Sequence, residues 1–286
     1  MPARSTSMAR SSRFSLLAFA VAMALSGCAQ REVVPPAPSL PESRIPWTAA
    51  IGKLVIAGSE RPCTAVLVAP DLIATAAHCL HQNAVPATAA DITFLPNHGA
   101  EPQLGASQGI MIRAMGGAVT AVNKASDIVR DWALITIAPP LRGVSPIAAR
   151  PLVVDEVLAR IAAGETLYTA GYGNGVAEVL RPHSPCKIVR DPALNPLYAV
   201  DMVITTCIIR IGDSGGPIIL VNRAGQPTLF GIFAGFGLGQ ALGTSYGVNV
   251  SAFADRLPVP LVSSVEPQAV ESQAQSPVFR LVRATD

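Results

Sequence analysis

The chain has 286 residues, of which 50% are hydrophobic and 14% charged, with 25 prolines and 23 glycines. Its formal charge of +2 comes from 21 basic and 19 acidic residues, but three of the arginines lie in the first 27 positions, so the remainder balances 18 against 19, a charge of −1. This gives no electrostatic reason to expect nucleic acid as a partner, and no apolar run in the body is long enough to span a bilayer, Ala65 to Leu80 being broken by Pro70, Asp71 and His78.

Arg4, Arg10 and Arg13, with no acid among them, precede an apolar run from Phe14 to Leu25 and then Leu25-Ser26-Gly27-Cys28. A basic segment, a short apolar segment and small residues read as a secretory signal over residues 1–27. Met8 is a second possible start that keeps Arg10 and Arg13. Leu-Ser-Gly-Cys resembles the bacterial lipobox, in which the cysteine is acylated and becomes the mature N-terminus. On that resemblance Cys28 carries lipid, the protein is an exported bacterial lipoprotein attached to a membrane through its anchor, and Ala29 favours an outer membrane. The alternative is an ordinary signal with a chance cysteine. Residues 28–46, with Pro35, Pro36, Pro38, Pro41 and Pro46, read as an extended tether.

Residues 47–258 form the folded body. Strand-like segments recur between turn signals at Ala65 to Val68, Leu72 to Ala76, Ile92 to Leu95, Ile110 to Met115, Trp132 to Ile137, Thr166 to Gly171, Cys186 to Val189, Met202 to Thr206, Pro217 to Val221, Leu229 to Phe233 and Tyr246 to Val250. No run shows helical periodicity. The pattern predicts an all-β unit, sandwich or barrel, followed by a loosely ordered tail over 259–286.

Two motifs in the body carry chemistry. Gly212-Asp213-Ser214-Gly215-Gly216-Pro217 places a hydroxyl in a glycine-rich turn whose backbone N–H groups can face a substrate oxygen. Thr75-Ala76-Ala77-His78-Cys79 supplies an imidazole that can take the hydroxyl proton. A base of this kind needs an acid to set its tautomer. Asp131, opening Asp131-Trp132-Ala133-Leu134-Ile135, reads as the first residue of a buried strand; Asp127, in a more polar stretch, is the competitor. His81, His98 and His183 read as loop residues, and no histidine or cysteine cluster has metal-ligand spacing, so no metal or cofactor is expected.

TAAHC and GDSGGP, in the order His78, Asp131, Ser214, resemble the trypsin/chymotrypsin-like serine proteases. Pro46-Trp47 and Ala170-Gly171-Tyr172-Gly173 are further similarities. The resemblance implies two six-stranded antiparallel β-barrels, about 47–140 and 156–250, with the active site in the cleft between them. It implies a monomeric serine endopeptidase acting on protein or peptide substrates, with an oxyanion hole from the N–H groups of Gly212 and Ser214. It also implies a disulfide between Cys63 and Cys79 in the histidine loop; with Cys28 lipidated, Cys186 and Cys207 form the other pair.

Two departures accompany the resemblance. The family's specificity position, six residues before the nucleophile, is Ile208, so a trypsin-type preference is not expected and an apolar or small side chain is. The pocket wall that begins Ser-Trp-Gly in the family is Phe233-Ala234-Gly235 here. The family's activation sequence is missing as well. Asp213, which pairs in the family with a newly freed amino terminus, must find either the Ile45 amino group after cleavage of Arg44-Ile45 or another cation such as Arg210. The altered pocket leaves two other functions open: a silent protease-like binding lipoprotein, and an esterase using the same residues.

Overall fold

The computed structural model describes residues 46–258 apart from 82–84, 100–103, 121, 123, 174–180, 184–185, 191–199 and 237–242. The expected signal, Cys28, most of the tether, the Arg44-Ile45 bond and the tail lie outside the described residues.

Six strands close into an antiparallel barrel: β1 (Ile51–Ile56), β2 (Cys63–Ala69), β3 (Leu72–Thr75), β4 (Ile92–Pro96), β5 (Ser107–Met115) and β6 (Ala133–Ala138), in the order β1-β2-β3-β6-β5-β4. Closure leaves no free edge in this half. β2 is buried along both faces from Cys63 to Leu67, which its Cys-Thr-Ala-Val-Leu composition permits, because one face fills the barrel and the other is covered by the second sheet's connections. A short helix, α1 (Ala125–Ile128), precedes β6.

The second half is a sheet whose path runs β10 (Met202–Thr205), β13 (Ser245–Asn249), β12 (Pro227–Phe236), β11 (Pro217–Val221), β8 (Thr166–Gly171) and β9 (Arg181–His183), with β7 (Ala148–Ala149) added parallel to β12. A closed barrel and a second, mostly antiparallel sheet of this kind are the two-barrel architecture expected from the sequence. Among the described residues, however, the second path does not close on itself. One apolar cluster runs from Leu54, Phe94 and Leu134 of the barrel into Ile219, Ile232 and Val248 of the sheet, so the two halves share a core. Trp132 stacks obliquely on Phe253 at 5.4 Å, which brings the C-terminal turns of the domain against the start of β6.

The structure corrects the strand reading in several places. β1, β7 and β9 were not anticipated, and Cys186 to Val189 makes only an isolated bridge, Ile188 to Thr205. A helix, α2 (Val154–Ala162), forms where no helical periodicity was expected. Its apolar stripe is narrow, Val157 buried and Ile161 one turn on partly buried, over a second cluster that includes Leu152, Leu167 and Phe230. Acidic Asp155 and Glu156 in the first turn and Arg160 in the last complement the helix dipole. A helix this short is marginal by itself, and the packing under it is what a sequence scan does not register. Among the described residues no helix is long and apolar enough to cross a membrane.

Candidate active site

β3 and β6 are antiparallel neighbours in which Thr75 pairs with Ala133. His78 lies three residues beyond Thr75, in the 3-10 turn Ala77–His81, and Asp131 lies two residues before Ala133, so strand register itself carries them to the same end of the barrel. The Asp131 carboxylate accepts twice from His78: its Oδ1 takes the backbone N–H at 2.7 Å and its Oδ2 takes Nδ1 at 2.6 Å. Asp131 is fully buried whereas the His78 side chain keeps 19% of its surface. Donation from Nδ1 leaves Nε2 with its lone pair available. Asp127 lies half-buried in α1, and the His78 ring is held by Asp131 instead.

Ser214 lines a cleft of about 750 Å³ together with His78. Its turn is built from residues that only glycine satisfies. Gly212 has φ of +107°, and a Cβ there would lie 2.6 Å from the Tyr172 carbonyl oxygen. Phe233, buried in β12, anchors the turn from behind: its carbonyl accepts from Gly215 N–H and its N–H donates to the Gly216 carbonyl, each at 2.8 Å. The N–H groups of Asp213 and Gly216 are likewise consumed, by the carbonyls of Arg210 and Asp213. Among the described residues those of Gly212 and Ser214 meet no protein acceptor. Two donors beside a hydroxyl in one cleft are what stabilisation of a tetrahedral oxyanion requires.

Asp213 is buried, which costs free energy unless several donors satisfy its charge. Gly173 donates its N–H to Oδ1 at 2.7 Å and Arg210 donates its backbone N–H to Oδ2 at 2.8 Å. Space for the carboxylate comes from two glycines flanking Tyr172: a Cβ at Gly171 or Gly173 would lie 2.3 or 2.6 Å from a carboxylate oxygen. Arg210 thus serves Asp213 through its backbone N–H while its side chain stays exposed, a different contact from the guanidinium pairing expected as one alternative.

Both expected disulfides are present, Cys63 to Cys79 and Cys186 to Cys207. The first ties β2 to the residue after His78. Cys63, His78 and Cys79 are the described group whose ligand atoms lie close enough for a metal, but the two sulfurs are joined to each other and offer no thiolate.

Ile208, expected at the base of the specificity pocket, is 72% exposed and is not part of the cleft lining. The segment from Thr206 to Arg210 alternates: Cys207 and Ile209 turn inward, the former to reach Cys186, and Thr206, Ile208 and Arg210 turn outward. The lining from the second half is Ile209 to Gly212, Ser214 and Ala234 to Phe236, with no carboxylate. Ala234 lies at an irregularity in the pairing of β12 with β13, between Phe233 and Gly235, a feature that redirects side chains at a sheet rim. His81 also lines the cleft, its Nδ1 3.0 Å from the Ala77 carbonyl oxygen. Its place one turn after His78 is the signal that reading it as a loop residue passed over. His98 lies 6.3 Å, ring to ring, from Tyr172 and away from the cleft.

Comparison with solved structures finds the same fold widely. The protease Anisep from Arthrobacter nicotinovorans is 24% identical, with a TM-score of 0.51 over 72% of this chain and 91% of that one. A Glu endopeptidase is 16% identical, with a TM-score of 0.53 over 76% and 92%. A scabies mite inactivated protease paralogue is 17% identical, with a TM-score of 0.52 over 74% and 93%. No curated protein matches the chain. The model of the trypsin family matches residues 38–256, a span that takes in both halves of the fold and the whole cleft, and the chain belongs to the trypsin family of serine-type endopeptidases.

Proposed function

We propose that the protein is an exported, lipid-anchored serine endopeptidase in which Ser214, His78 and Asp131 act as nucleophile, base and orienting acid. The observation that carries this reading is the pair of hydrogen bonds from His78 to Asp131 at the mouth of a cleft shared with Ser214. Ser214 Oγ attacks the peptide carbonyl carbon while His78 Nε2 takes its proton, and the N–H groups of Gly212 and Ser214 receive the oxyanion. His78 then protonates the leaving amine. Water, deprotonated in turn by His78, hydrolyses the acyl-enzyme and frees Ser214. Asp131 remains ionised throughout and stabilises the imidazolium.

The backbone donors on Asp213 support a chain that works without cleavage at Arg44-Ile45. An apolar side chain before the scissile bond suits Ile209, Ile211, Ala234 and Phe236, which line the cleft beside Ser214. Export, the lipid on Cys28, outer-membrane sorting and a monomeric state follow from the sequence reading. Mass spectrometry of the mature N-terminus tests the anchor, an acylated Cys28 being expected and a mature chain beginning elsewhere refuting it.

Labelling with an active-serine phosphonate, followed by peptide and ester turnover, tests the chemistry. Labelling at Ser214 with hydrolysis of peptides is expected, and its loss in Ser214→Ala completes the assignment. No labelling leaves a silent binding lipoprotein; ester turnover without peptide turnover leaves an esterase. Comparing the intact chain, Arg44→Gln and a chain beginning at Ile45 tests activation. Equal activity is expected, and activity confined to the last refutes the uncut form.

A further inference from the structure

Thr64 belongs to β2 of the first barrel, yet three of its four polar contacts reach the second half of the molecule. Its N–H donates to the Ser214 carbonyl at 2.8 Å. Its hydroxyl donates to the Gly212 carbonyl at 2.8 Å and accepts the Tyr172 N–H at 3.0 Å. Its own carbonyl accepts the hydroxyl of Thr75 at 2.8 Å, three residues before His78. Thr64 and Thr75 are both fully buried.

The direction of these bonds is forced. A backbone N–H can only donate, so the Tyr172 contact uses a lone pair of the Thr64 hydroxyl and leaves its single proton for the Gly212 carbonyl. The hydroxyl therefore pins the carbonyl of a glycine, the residue type whose peptide planes turn most freely. The Gly212 and Ser214 carbonyls belong to the peptide planes 212–213 and 214–215, which flank the plane carrying the Ser214 N–H, and the Gly212 N–H lies on the plane before the first, so Thr64 holds the backbone on either side of the oxyanion donors of the reading above. Gly215 closes the contact: a Cβ there would lie 2.2 Å from the Thr75 hydroxyl oxygen and 2.3 Å from the Thr64 carbonyl oxygen.

We infer that Thr64 is a positioning residue for the oxyanion site, a hydroxyl from one half of the fold that fixes the orientation of donors supplied by the other. It touches no reacting atom and acts through Gly212. The inference rests on the endopeptidase reading, and its effect belongs to the transition state, because the oxyanion forms only there. Losing one oxyanion donor outright costs about 10²–10³ in kcat, and loosening one costs part of that.

The test uses the full chain with Thr64→Val and Thr64→Ala, which remove the hydroxyl, and Thr64→Ser, which keeps it. Steady-state peptide hydrolysis is normalised to the folded sites counted by phosphonate titration, so that unfolded protein does not enter. The expected result is a roughly 10- to 100-fold lower kcat in the variants without a hydroxyl, with KM changed less than about twofold, and near wild-type turnover in Thr64→Ser. Affinity for a peptide aldehyde should fall by the same factor as kcat, whereas affinity for a product peptide should not. An unchanged kcat per titrated site in Thr64→Val or Thr64→Ala, or a loss in Thr64→Ser as large as theirs, overturns the role of Thr64 alone. A wild-type chain with neither labelling nor turnover overturns the endopeptidase reading and this inference with it.

Discussion

The two halves of the site are held by different physical means. In the closed barrel, His78 and Asp131 sit just past the ends of paired strands, and the register that matches Thr75 with Ala133 is fixed by the whole ladder. In the second half, Ser214 lies on an irregular connection between β10 and β11, and its turn is kept in shape by a few buried polar contacts on Asp213, Phe233 and Thr64. His78 is thus placed by many cooperating bonds and Ser214 by few. Single substitutions in the first half should alter chemistry without disturbing shape, and single substitutions in the second should alter shape first.

The largest expected effect breaks the barrel half. Asp131→Asn keeps the shape but presents an amide to Nδ1, and kcat should fall by about 10⁴ with little change in phosphonate-independent measures of folding such as Tm. A loss below tenfold would show that His78 does not depend on this acid.

Next come the crosslinks. The pair Cys63→Ala/Cys79→Ala opens a loop of 16 residues and should lower stability by about 3 kcal/mol in denaturant unfolding. Cys186 to Cys207 closes a loop of 21 residues and should cost a similar amount, but its removal should also depress activity at temperatures where the fold survives, because Cys207 begins the connection that leads to Ser214. Equal effects on activity per folded molecule would erase the contrast between the halves.

A smaller break sharpens it from the other side. Gly171→Ala inserts a methyl 2.3 Å from an Asp213 carboxylate oxygen, and overpacking of this kind costs about 1–3 kcal/mol. Phosphonate labelling should slow while the Asp131 to His78 hydrogen bond, followed as the downfield Nδ1 proton in NMR, persists. Loss of that resonance would mean that the two halves are not separable.

The smallest effect concerns Tyr172, buried between the two glycines that cradle Asp213. Burial pushes its phenol above its ordinary value of 10.0. The folded state then holds the proton where the unfolded state releases it, so the contribution is fully present below about pH 10 and is lost as pH rises through the folded value. Absorbance titration at about 295 nm, compared with Tyr172→Phe, should find the Tyr172 phenol ionising only with unfolding, and its ionisation in the folded protein near the ordinary value would contradict the buried cradle.

How far the chain could be read before folding differed from place to place. His78 and Ser214 announce themselves because each sits in a short local motif, Thr75 to Cys79 behind a strand-like segment and the glycine-rich run Gly212 to Pro217. Most strands were legible from apolar runs between turn residues. β1 was not, although Ile51 and Leu54 to Ile56 are apolar, because Gly52 reads as a break until Phe94 is seen to occupy the space a Cβ would need.

The sequence by itself determined the residues able to carry the chemistry and, through the motifs it shares with the family, the fold and the expected pairing of the cysteines, since motifs depend on residue type and order. Tertiary structure decided which acid meets His78, that Ile208 faces outward while Ile209 faces the cleft, and that Asp213 accepts the backbone N–H groups of Gly173 and Arg210 in a space left by two glycines. It also decided the part of Thr64, whose contacts with Tyr172 and Gly212 lie 108 and 148 residues away in the chain. Backbone donors and acceptors are the same in every residue, so a site built from them leaves no mark in a sequence until the fold has brought them together.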